Sequence, residues 1–500
     1  MKELKKLVGI VTENGLKNLP LLDLYDEDKG SNLEQHLFLG IRNGEYKSDE
    51  DAEKDIYGSV NLGQRYKMLK SRLKYKLLNH LFFLNFRIPD VSVSKQYEHE
   101  CINYLHMSKM LLSMNERDIS EKLLLKCLRI SQEAEFTNLT VECLELIRSI
   151  YSDKVRPKLF KKNRKDLNEY RNLLRLEEEI NDDFFYSRIL LRKSVHSRKK
   201  NIDNTAKTIK KLEQSYEQTN SFNVFEKYYK LKIWYWELNG DFDKIISIAD
   251  EIEEDFKNGK LNTIRFDHKH IKQVKISAYL KSMKLKEGLD LAEDYQNEFD
   301  PSEFSWFEFM ESFFLLAMHA KDYQKATQLL VGIFDNPHFK KLPIVYREKW
   351  EIFRAYLYIV KPEAPIFRDF NYQIFYTPIP EFSKEKAGIN VSVLILQFVK
   401  HLFEDDYEFL KTRIGAIERY INRYCSEEFS MRIKYFYKLL RNIVDSEMNI
   451  YEVNRKSRYS FKQLQGTPVQ GDASAELEII PYEHLWDIII GVLKKNYARL

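Results

Sequence analysis

The chain has 500 residues, of which 80 are Lys or Arg and 76 are Asp or Glu, so its net charge is only +4. A single compact core is excluded at this length, because such cores stop growing at roughly 250–300 residues. The small net charge excludes a strong global attraction to nucleic acid or to an anionic membrane, although local basic patches remain allowed.

Glycine and proline are scarce, with 16 and 12 residues, which is about half of their usual shares of roughly 7% and 5%. These residues punctuate turns and helix ends, so their scarcity predicts long helices and few turns. Charged residues at 31% and apolar residues at 44% fit helices with one buried and one solvated face. The composition therefore predicts an all-α chain.

Cysteine usage and hydropathy predict a cytoplasmic protein with no membrane partner. The four cysteines form no C-x-x-C pair, which favours buried free thiols in a reducing compartment. The N-terminus lacks the pattern of a signal peptide, and no apolar run reaches the roughly 18 residues of a membrane span. The cysteines are Cys101, Cys127, Cys143 and Cys425.

Residues 1–90 are predicted to form a helical module of their own. Helical patterns cover Leu4 to Val11 and Leu33 to Ile41, and a third helix begins after Ser48 and ends at Gly58. Ser48 is a favourable N-cap, and the acidic residues behind it suit a helix N-terminus. A long amphipathic helix follows, about Gln64 to Leu84, with an apolar stripe at Tyr66, Leu69, Leu73, Leu77 and Leu81.

These last two helices also resemble the helix-turn-helix end of a winged-helix DNA reader. On that interpretation Arg65, Lys67 and Lys70 would contact nucleic acid. The second helix is long for recognition, and the connection of about five residues exceeds the three or four of the motif. The apolar stripe serves equally to dock the helix on the first repeat, so both interpretations stay open.

From residue 94 to 361 the sequence alternates helix, short loop and helix, and its turns recur. A bulky residue follows each of four turns, and the spacings between these residues are 43, 38 and 84, the last near twice 42. Recurrence at about 40 residues is typical of stacked helical hairpins. The four residues are Phe242, Leu285, Tyr323 and Tyr407.

Two of these turns, in the stretches Gly240–Ala249 and Ala320–Ala326, resemble the turns of tetratricopeptide repeats. The resemblance implies a right-handed α-solenoid of antiparallel helical hairpins, in which small residues let the helices approach closely. The spacing exceeds the family's usual repeat of roughly 34 residues, which implies a degenerate version with long helices. The small residues are Ala249, Gly288, Ala292 and Ala326.

The C-terminal third continues this plan after an interruption. Four prolines among aromatic residues predict an extended connector over residues 362–388. Further helical hairpins are predicted over residues 389–450. Residues 451–500 are predicted to hold a loop and an amphipathic helix, Tyr482 to Tyr497, that caps the array, because terminal repeats must cover an exposed apolar face.

No motif identifies a chemistry. The chain contains no phosphate-binding G-x-x-x-x-G-K-[ST] or G-x-G-x-x-G loop, no G-x-S-x-G elbow and no H-E-x-x-H. His268 and His270 stand at positions i and i+2, which point apart on a helix and cannot readily share a metal. We therefore predict no enzymatic activity, no catalytic residue, no metal and no cofactor.

Two basic clusters are the remaining candidates for a binding site. The first includes Lys154, Arg156, Lys161, Lys162 and Arg164, and the second is centred on Arg198, Lys199 and Lys200. A solvated helix end or loop is the ordinary explanation for such runs, and contact with an anion or nucleic acid is the alternative.

The expected function is a scaffold that binds a peptide or protein partner on a helical-repeat surface. The alternative is a transcriptional or nucleic-acid-associated regulator that joins an N-terminal helix-turn-helix-like module to a sensor array of repeats. The sequence does not identify the partner.

Overall fold

The computed structural model describes eight stretches of the chain. Within them the residues form twenty-one α-helices, three short 3-10 helices and no β-strand, which confirms the predicted all-α class. Cys425, most of the predicted connector and the polar loop near residue 470 lie outside them. The described residues are 1–14, 33–59, 63–81, 92–192, 195–367, 387–424, 431–467 and 478–497.

The chain divides into two compact units, a first unit of Met1–Leu174 and a second unit of Arg175–Leu500. The finer predicted boundaries near residues 90, 361, 388 and 450 stay predictions. The helices that begin in the first unit are α1 (Lys2–Asn14), α2 (Leu33–Arg42), α3 (Asp49–Tyr57), α4 (Gln64–His80), α5 (Val93–Ser113), α6 (Arg117–Glu133), α7 (Thr137–Asp153) and α8 (Pro157–Arg192).

The N-terminal helices α1, α2 and α4 pack around a small core of their own. Leu37, Leu69 and Leu73 are fully buried there, together with most of the predicted stripe of α4. Because these side chains recur every three or four residues along α4, one face of this helix is removed from water. The stripe therefore docks α4 on its neighbours within the N-terminal module.

Helix α3 begins and ends where the sequence predicts. The Ser48 side chain accepts a hydrogen bond from the Asp51 backbone, and the Asp51 carboxylate accepts one from the Ser48 backbone in return. This reciprocal capping box satisfies two backbone donors that the helix itself leaves unpaired. Gly58 ends the helix with a φ of 72°, a left-handed conformation that glycine adopts without steric cost.

Helices α5, α6 and α7 pack in sequence, and cysteines lie where they touch. Cys101, Cys127 and Cys143 are fully buried. The Cys127 Sγ lies 3.4 Å from the backbone oxygen of Cys101, so α5 and α6 approach closely at this point. A thiol is small and weakly polar, which suits such a contact.

Seven connections in the described part of the chain use the same turn. In each, one residue with positive φ ends a helix and the next helix starts two residues later. The residue after the positive-φ position donates to a carbonyl five residues back, as Asp241 does to Trp236 at 3.1 Å and Asp322 does to Ala317 at 2.9 Å. This Schellman geometry satisfies carbonyls at the helix end. The positive-φ residues are Asn115, Glu135, Val155, Gly240, Met283, Lys321 and Asp405.

The helices of the second unit pack in chain order. After α9 (Val195–Thr219) come α10 (Phe222–Asn239), α11 (Phe242–Lys257), α12 (His268–Lys281), α13 (Leu285–Tyr295), α14 (Phe304–His319), α15 (Tyr323–Phe334), α16 (Ile344–Val360), α17 (Ala387–Phe403), α18 (Tyr407–Tyr424), α19 (Met431–Val444), α20 (Ile450–Gln465) and α21 (Tyr482–Tyr497). Each packs against the next, and α12 also contacts α14. The bulky residues Phe242, Leu285, Tyr323 and Tyr407 are each the first residue of a helix.

Small residues allow close contact between these helices. A Cβ atom added at Gly288 would lie only 2.9 Å from side-chain carbons of Leu316 and Tyr279. Ala249, Ala292 and Ala326 are fully buried, so a larger side chain at any of them would meet the neighbouring helix.

The C-terminal helix α21 contributes to the apolar core of the second unit. It packs against α20 and also touches α17 and α19. A continuous apolar cluster therefore runs from Ile276 to Leu493, with Phe313, Phe398 and Phe436 fully buried in it.

Candidate functional site

A cleft opens on the second unit between helices that alternate along the chain. Its volume is about 350 Å³, and most of its walls come from α10 and α12, with the start of α11 below and α14 at one end. Each of α10, α12 and α14 is the first helix of a pair joined by the recurrent turn. The residues that define the cleft here are Tyr229, Ile233, Trp234, His270, Gln273, Ser277, Glu308 and Ser312.

The cleft has an apolar floor and a polar rim. Ile233 and Phe242 are buried at the floor, and Trp234 is half-buried at the wall. Burial, and then the charge of nearby Glu311, raise the pKa of the Glu308 carboxyl, against the opposing charge of Lys349. A concave surface with an apolar base and a few convergent polar groups is the usual form of a binding site.

Ion pairs connect the helices that carry the cleft. Lys281 on α12 binds Glu237 on α10 at 2.6 Å, and both residues line the cleft. Lys269 on α12 binds Glu303, just before α14, at 2.9 Å, and Lys349 on α16 binds Glu311 on α14. These half-buried bridges connect neighbouring helices around the cleft.

The predicted nucleic-acid residues of the N-terminal module differ in their environment. Lys70 lies 2.9 Å from both carboxylate oxygens of Asp49, which also binds the chain's terminal amine at 3.0 Å. Arg65 and Lys67 are exposed on the first turn of α4. Further along α4, Arg72, Lys74 and Lys76 each bind a carboxylate of α1 or α2. Most cations of this helix are therefore neutralised within the module.

The first basic cluster is partly neutralised as well. Lys154 binds Asp118 and Glu121, and Arg156 binds Glu121 at 2.7 Å. Lys161, Lys162 and Arg164 are exposed on the first turns of α8, and within the described stretches they have no ion-pair partner. The side chains of Arg198, Lys199 and Lys200, in α9, lie outside the described residues.

A buried polar cluster in the second unit was missed by the sequence analysis. The Arg432 guanidinium donates to Glu478 at 2.6 and 2.9 Å and to Glu483 at 2.9 and 2.7 Å. It also donates to the backbone oxygens of Leu464 and Thr467 at 3.1 and 2.7 Å. Arg432 occupies an otherwise apolar position of α19, one turn before the buried Phe436, and this irregularity was the available signal.

The same cluster holds a buried histidine. The Nε2 atom of His319 lies 2.6 Å from the backbone oxygen of Glu478, and since a carbonyl only accepts, Nε2 carries the proton. Burial lowers the pKa of His319 to about 4, and the nearby charge of Arg432 acts in the same direction. The Tyr323 hydroxyl lies 3.0 Å from a ring nitrogen of His484. These contacts fasten the segment before α21, and α21 itself, to α14 and α15.

The described stretches contain no assembled metal site and no assembled site for thiol chemistry. No three His, Cys, Asp or Glu side chains come together there as a metal site would require. His268 lies 3.8 Å from Glu298, whereas His270 lines the cleft. Hydrogen bonding with Cys127 and burial both raise the pKa of the Cys101 thiol, which keeps it protonated and unreactive.

No protein-family model, curated protein or solved structure matches this chain. The resemblance to tetratricopeptide repeats therefore rests on the turns and small residues of the chain itself. Among the described helices, none combines the length and the apolar character needed to span a bilayer.

Proposed function

We propose that this protein is a non-enzymatic scaffold whose second unit binds a peptide segment of a partner protein in the cleft of α10, α12 and α14. The observation that carries the proposal is the cleft itself, which has an apolar floor and opens on alternate helices of a sequential array. Alternate helices in such an array present side chains to one continuous surface, which suits an elongated ligand.

The chemistry of the cleft favours a peptide over a small metabolite. Its volume of about 350 Å³ is at the low end for small-molecule sites, yet it accommodates one or two apolar side chains. The amide of Gln273 and the hydroxyls of Ser277 and Ser312 line the cleft, where they are placed to bond the backbone of a bound segment.

We further propose that the second unit is a right-handed, tetratricopeptide-like solenoid of antiparallel hairpins. Support comes from the identical turns at Gly240, Met283 and Lys321, the contact of α12 with α14 and the close approach at Gly288. Capping of the array by α21 belongs to the same proposal.

The regulator interpretation has less support. A DNA-contacting α4 would need free cations, whereas Lys70 and three cations beyond it bind carboxylates. Arg65 and Lys67 remain exposed, but contacts to phosphates alone carry no sequence information, so these two residues do not make α4 a reader of DNA sequence.

The test is a selection of random twelve-residue peptides, displayed on phage, against the full chain. Peptides that are enriched are synthesised with a fluorophore, and their affinity is measured by polarisation. Ser277→Phe places a ring in the cleft and should weaken binding at least about tenfold, since the ring occupies the volume that the ligand needs.

Ser247→Phe is the matched control, because Ser247 is exposed on α11 and lines no part of the cleft. It should leave peptide affinity unchanged. Gln273→Ala, which leaves the space open but removes an amide, should weaken binding severalfold. Peptides that bind the Ser277→Phe protein as tightly as the original would rule out the cleft as their site.

A further inference from the structure

Helix α20 carries tyrosines and cations along one face. We define the α20 stripe as Tyr451, Arg455, Arg458, Tyr459 and Lys462, which stand at positions i, i+4, i+7, i+8 and i+11. At 3.6 residues per turn these positions fall on one side of the helix. The opposite side is buried in the core of the second unit, so the stripe faces outward from a fixed support.

The two tyrosines of the stripe are mostly exposed. Tyr451 is 70% exposed and Tyr459 is 69% exposed, and no other tyrosine in the described part of the chain is more exposed. Eight residues of helix separate them, a rise of about 12 Å. Two aromatic rings therefore stand apart on the surface with cations between and beside them.

Helix α20 is strongly basic. It carries four cations and a single carboxylate, that of Glu452. Glu452 binds Arg455 at 2.6 Å, but the Arg455 side chain is still 71% exposed. Arg458 and Lys462 are exposed and have no carboxylate partner among the described residues.

From this arrangement we infer that the α20 stripe binds single-stranded nucleic acid. The cations contact the phosphates, and Tyr451 and Tyr459 stack against bases that a single strand leaves unpaired. Aromatic rings interleaved with cations are the usual means of binding a single strand without reading its sequence. The stripe shares no residue with the cleft of α10, α12 and α14, so the two proposals stand or fall separately.

Other ligands fit the stripe less well. Tyrosine and arginine are enriched at protein–protein interfaces, but the core of such an interface is apolar and depleted in lysine, whereas this face holds three cations and no aliphatic residue. Insertion into a membrane surface needs Leu, Phe or Trp on the outward face, and α20 presents none there. Base-paired DNA would offer phosphates to the cations but no unstacked base to the tyrosines.

The test measures binding of fluorescein-labelled dT12 and U12 to the full chain by polarisation, over a range of KCl concentrations. A twelve-base-pair duplex and a fluorescein-labelled polyglutamate peptide serve as comparison ligands. We expect saturable binding of both single strands at low salt and much weaker binding of the other two. The ratio of the dT12 and U12 affinities tells whether DNA or RNA is preferred.

Two double variants separate the contributions. Tyr451→Ala with Tyr459→Ala should weaken single-strand binding at least about tenfold, since each stacked base contributes substantially. Tyr451→Phe with Tyr459→Phe keeps the rings and should retain affinity. Arg458→Gln with Lys462→Gln should lower the slope of log affinity against log salt by about 1.4, because each phosphate contact contributes about 0.7 for a single strand.

Matched controls lie elsewhere on the surface. Tyr186 is 64% exposed on α8, and Tyr186→Ala should change nothing. Lys244→Gln with Lys257→Gln removes the same charge from exposed positions of α11 and should also leave affinity unchanged. The inference is overturned if neither single strand binds saturably, if the alanine pair binds as the original does, or if polyglutamate binds as tightly as dT12.

Discussion

The buried charges around Arg432 explain how polar groups can reside in an apolar core. Every N–H of the Arg432 guanidinium has an acceptor among Glu478, Glu483 and two backbone oxygens. The two carboxylates hold the pKa of Arg432 above its usual range, although burial alone would lower it. A buried charge without such partners would destabilise the fold, so this cluster fixes one arrangement of α19 and the segment before α21.

His319 should make the stability of the second unit depend on pH. Its pKa is lowered from 6.5 in the unfolded chain to about 4 in the fold, so between these values the unfolded chain binds the extra proton. The stabilisation that the fold gains with neutral His319 is therefore complete above pH 6.5 and is lost as the pH falls towards 4. We expect the free energy of unfolding to fall by about 2 kcal/mol between pH 7 and pH 5 from this residue.

The measurement is urea unfolding followed by tryptophan fluorescence at pH 7 and pH 5. All five tryptophans lie in the second unit, so the signal reports this unit. His319→Gln keeps a donor for the Glu478 carbonyl but does not titrate. The free energy of unfolding of this variant should therefore fall by about 2 kcal/mol less between pH 7 and pH 5 than that of the original protein. Equal pH dependence in both proteins would show that His319 does not titrate as we describe.

Among the elements, the recurrent turn is the feature that organises the chain. Its backbone is the same in seven places, yet only one of the seven has glycine at the positive-φ position. The Schellman bonds and the packing of the flanking helices therefore impose the left-handed conformation on residues that do not prefer it. In three of these turns an aspartate then caps the next helix, as Asp241, Asp322 and Asp406 do.

Val155 is the most strained of these positions, because a β-branched side chain disfavours its φ of 52°. The side chain is 82% exposed, so its removal loses no packing. We expect Val155→Gly to stabilise the first unit by about 0.5–1 kcal/mol, the relief of strain exceeding the entropy that glycine adds to the unfolded chain. Thermal unfolding followed by circular dichroism would measure it.

The reciprocal change tests the same reasoning. Gly240 has a φ of 71° and nothing within 4 Å of an added Cβ, so Gly240→Val meets strain without a clash. It should destabilise the second unit by about 1–2 kcal/mol. Urea unfolding followed by tryptophan fluorescence would measure this loss. If the positive φ strains a β-branched residue at both positions, the two substitutions must change stability with opposite signs.

At the scale of the whole molecule, each unit has an apolar core of its own. The core of α1, α2 and α4 and the core that runs from Ile276 to Leu493 have no residue in common. In helical arrays each element contacts its neighbours, so a local defect acts mainly on its own surroundings.

Two core substitutions should therefore have separate effects. Leu73→Ala removes a fully buried side chain from the N-terminal core, and its cost of about 2–5 kcal/mol should appear in circular dichroism while the tryptophan transition stays in place. Leu316→Ala, in the core of the second unit, should move the tryptophan transition to lower urea. A shift of the tryptophan transition by Leu73→Ala would show that the two cores unfold together.

Part of the cleft region could be predicted from the sequence, and part could not. The turns at Gly240, Met283 and Lys321 were found because a bulky residue recurs after each at about 40 residues. The turns at Asn115, Glu135 and Val155 were missed, because the next helices begin with Arg117, Thr137 and Pro157 and not with a bulky apolar residue. The stripe of α20 was also missed, since its residues look like any solvated helix face until the burial of the opposite side is known.

The all-α class, the limits of α3 and the burial of the α4 stripe could be predicted from the sequence, because these depend on residues within a turn or two of one another. Which cations are free could be read only from contacts in the folded chain. Lys70 looks like a solvent-exposed charge in sequence and Arg432 like a break in an apolar pattern, but their partners Asp49 and Glu478 lie 21 and 46 residues away. Whether a charge binds a ligand or a neighbour depends on contacts between distant segments, and helical periodicity carries no information about those contacts.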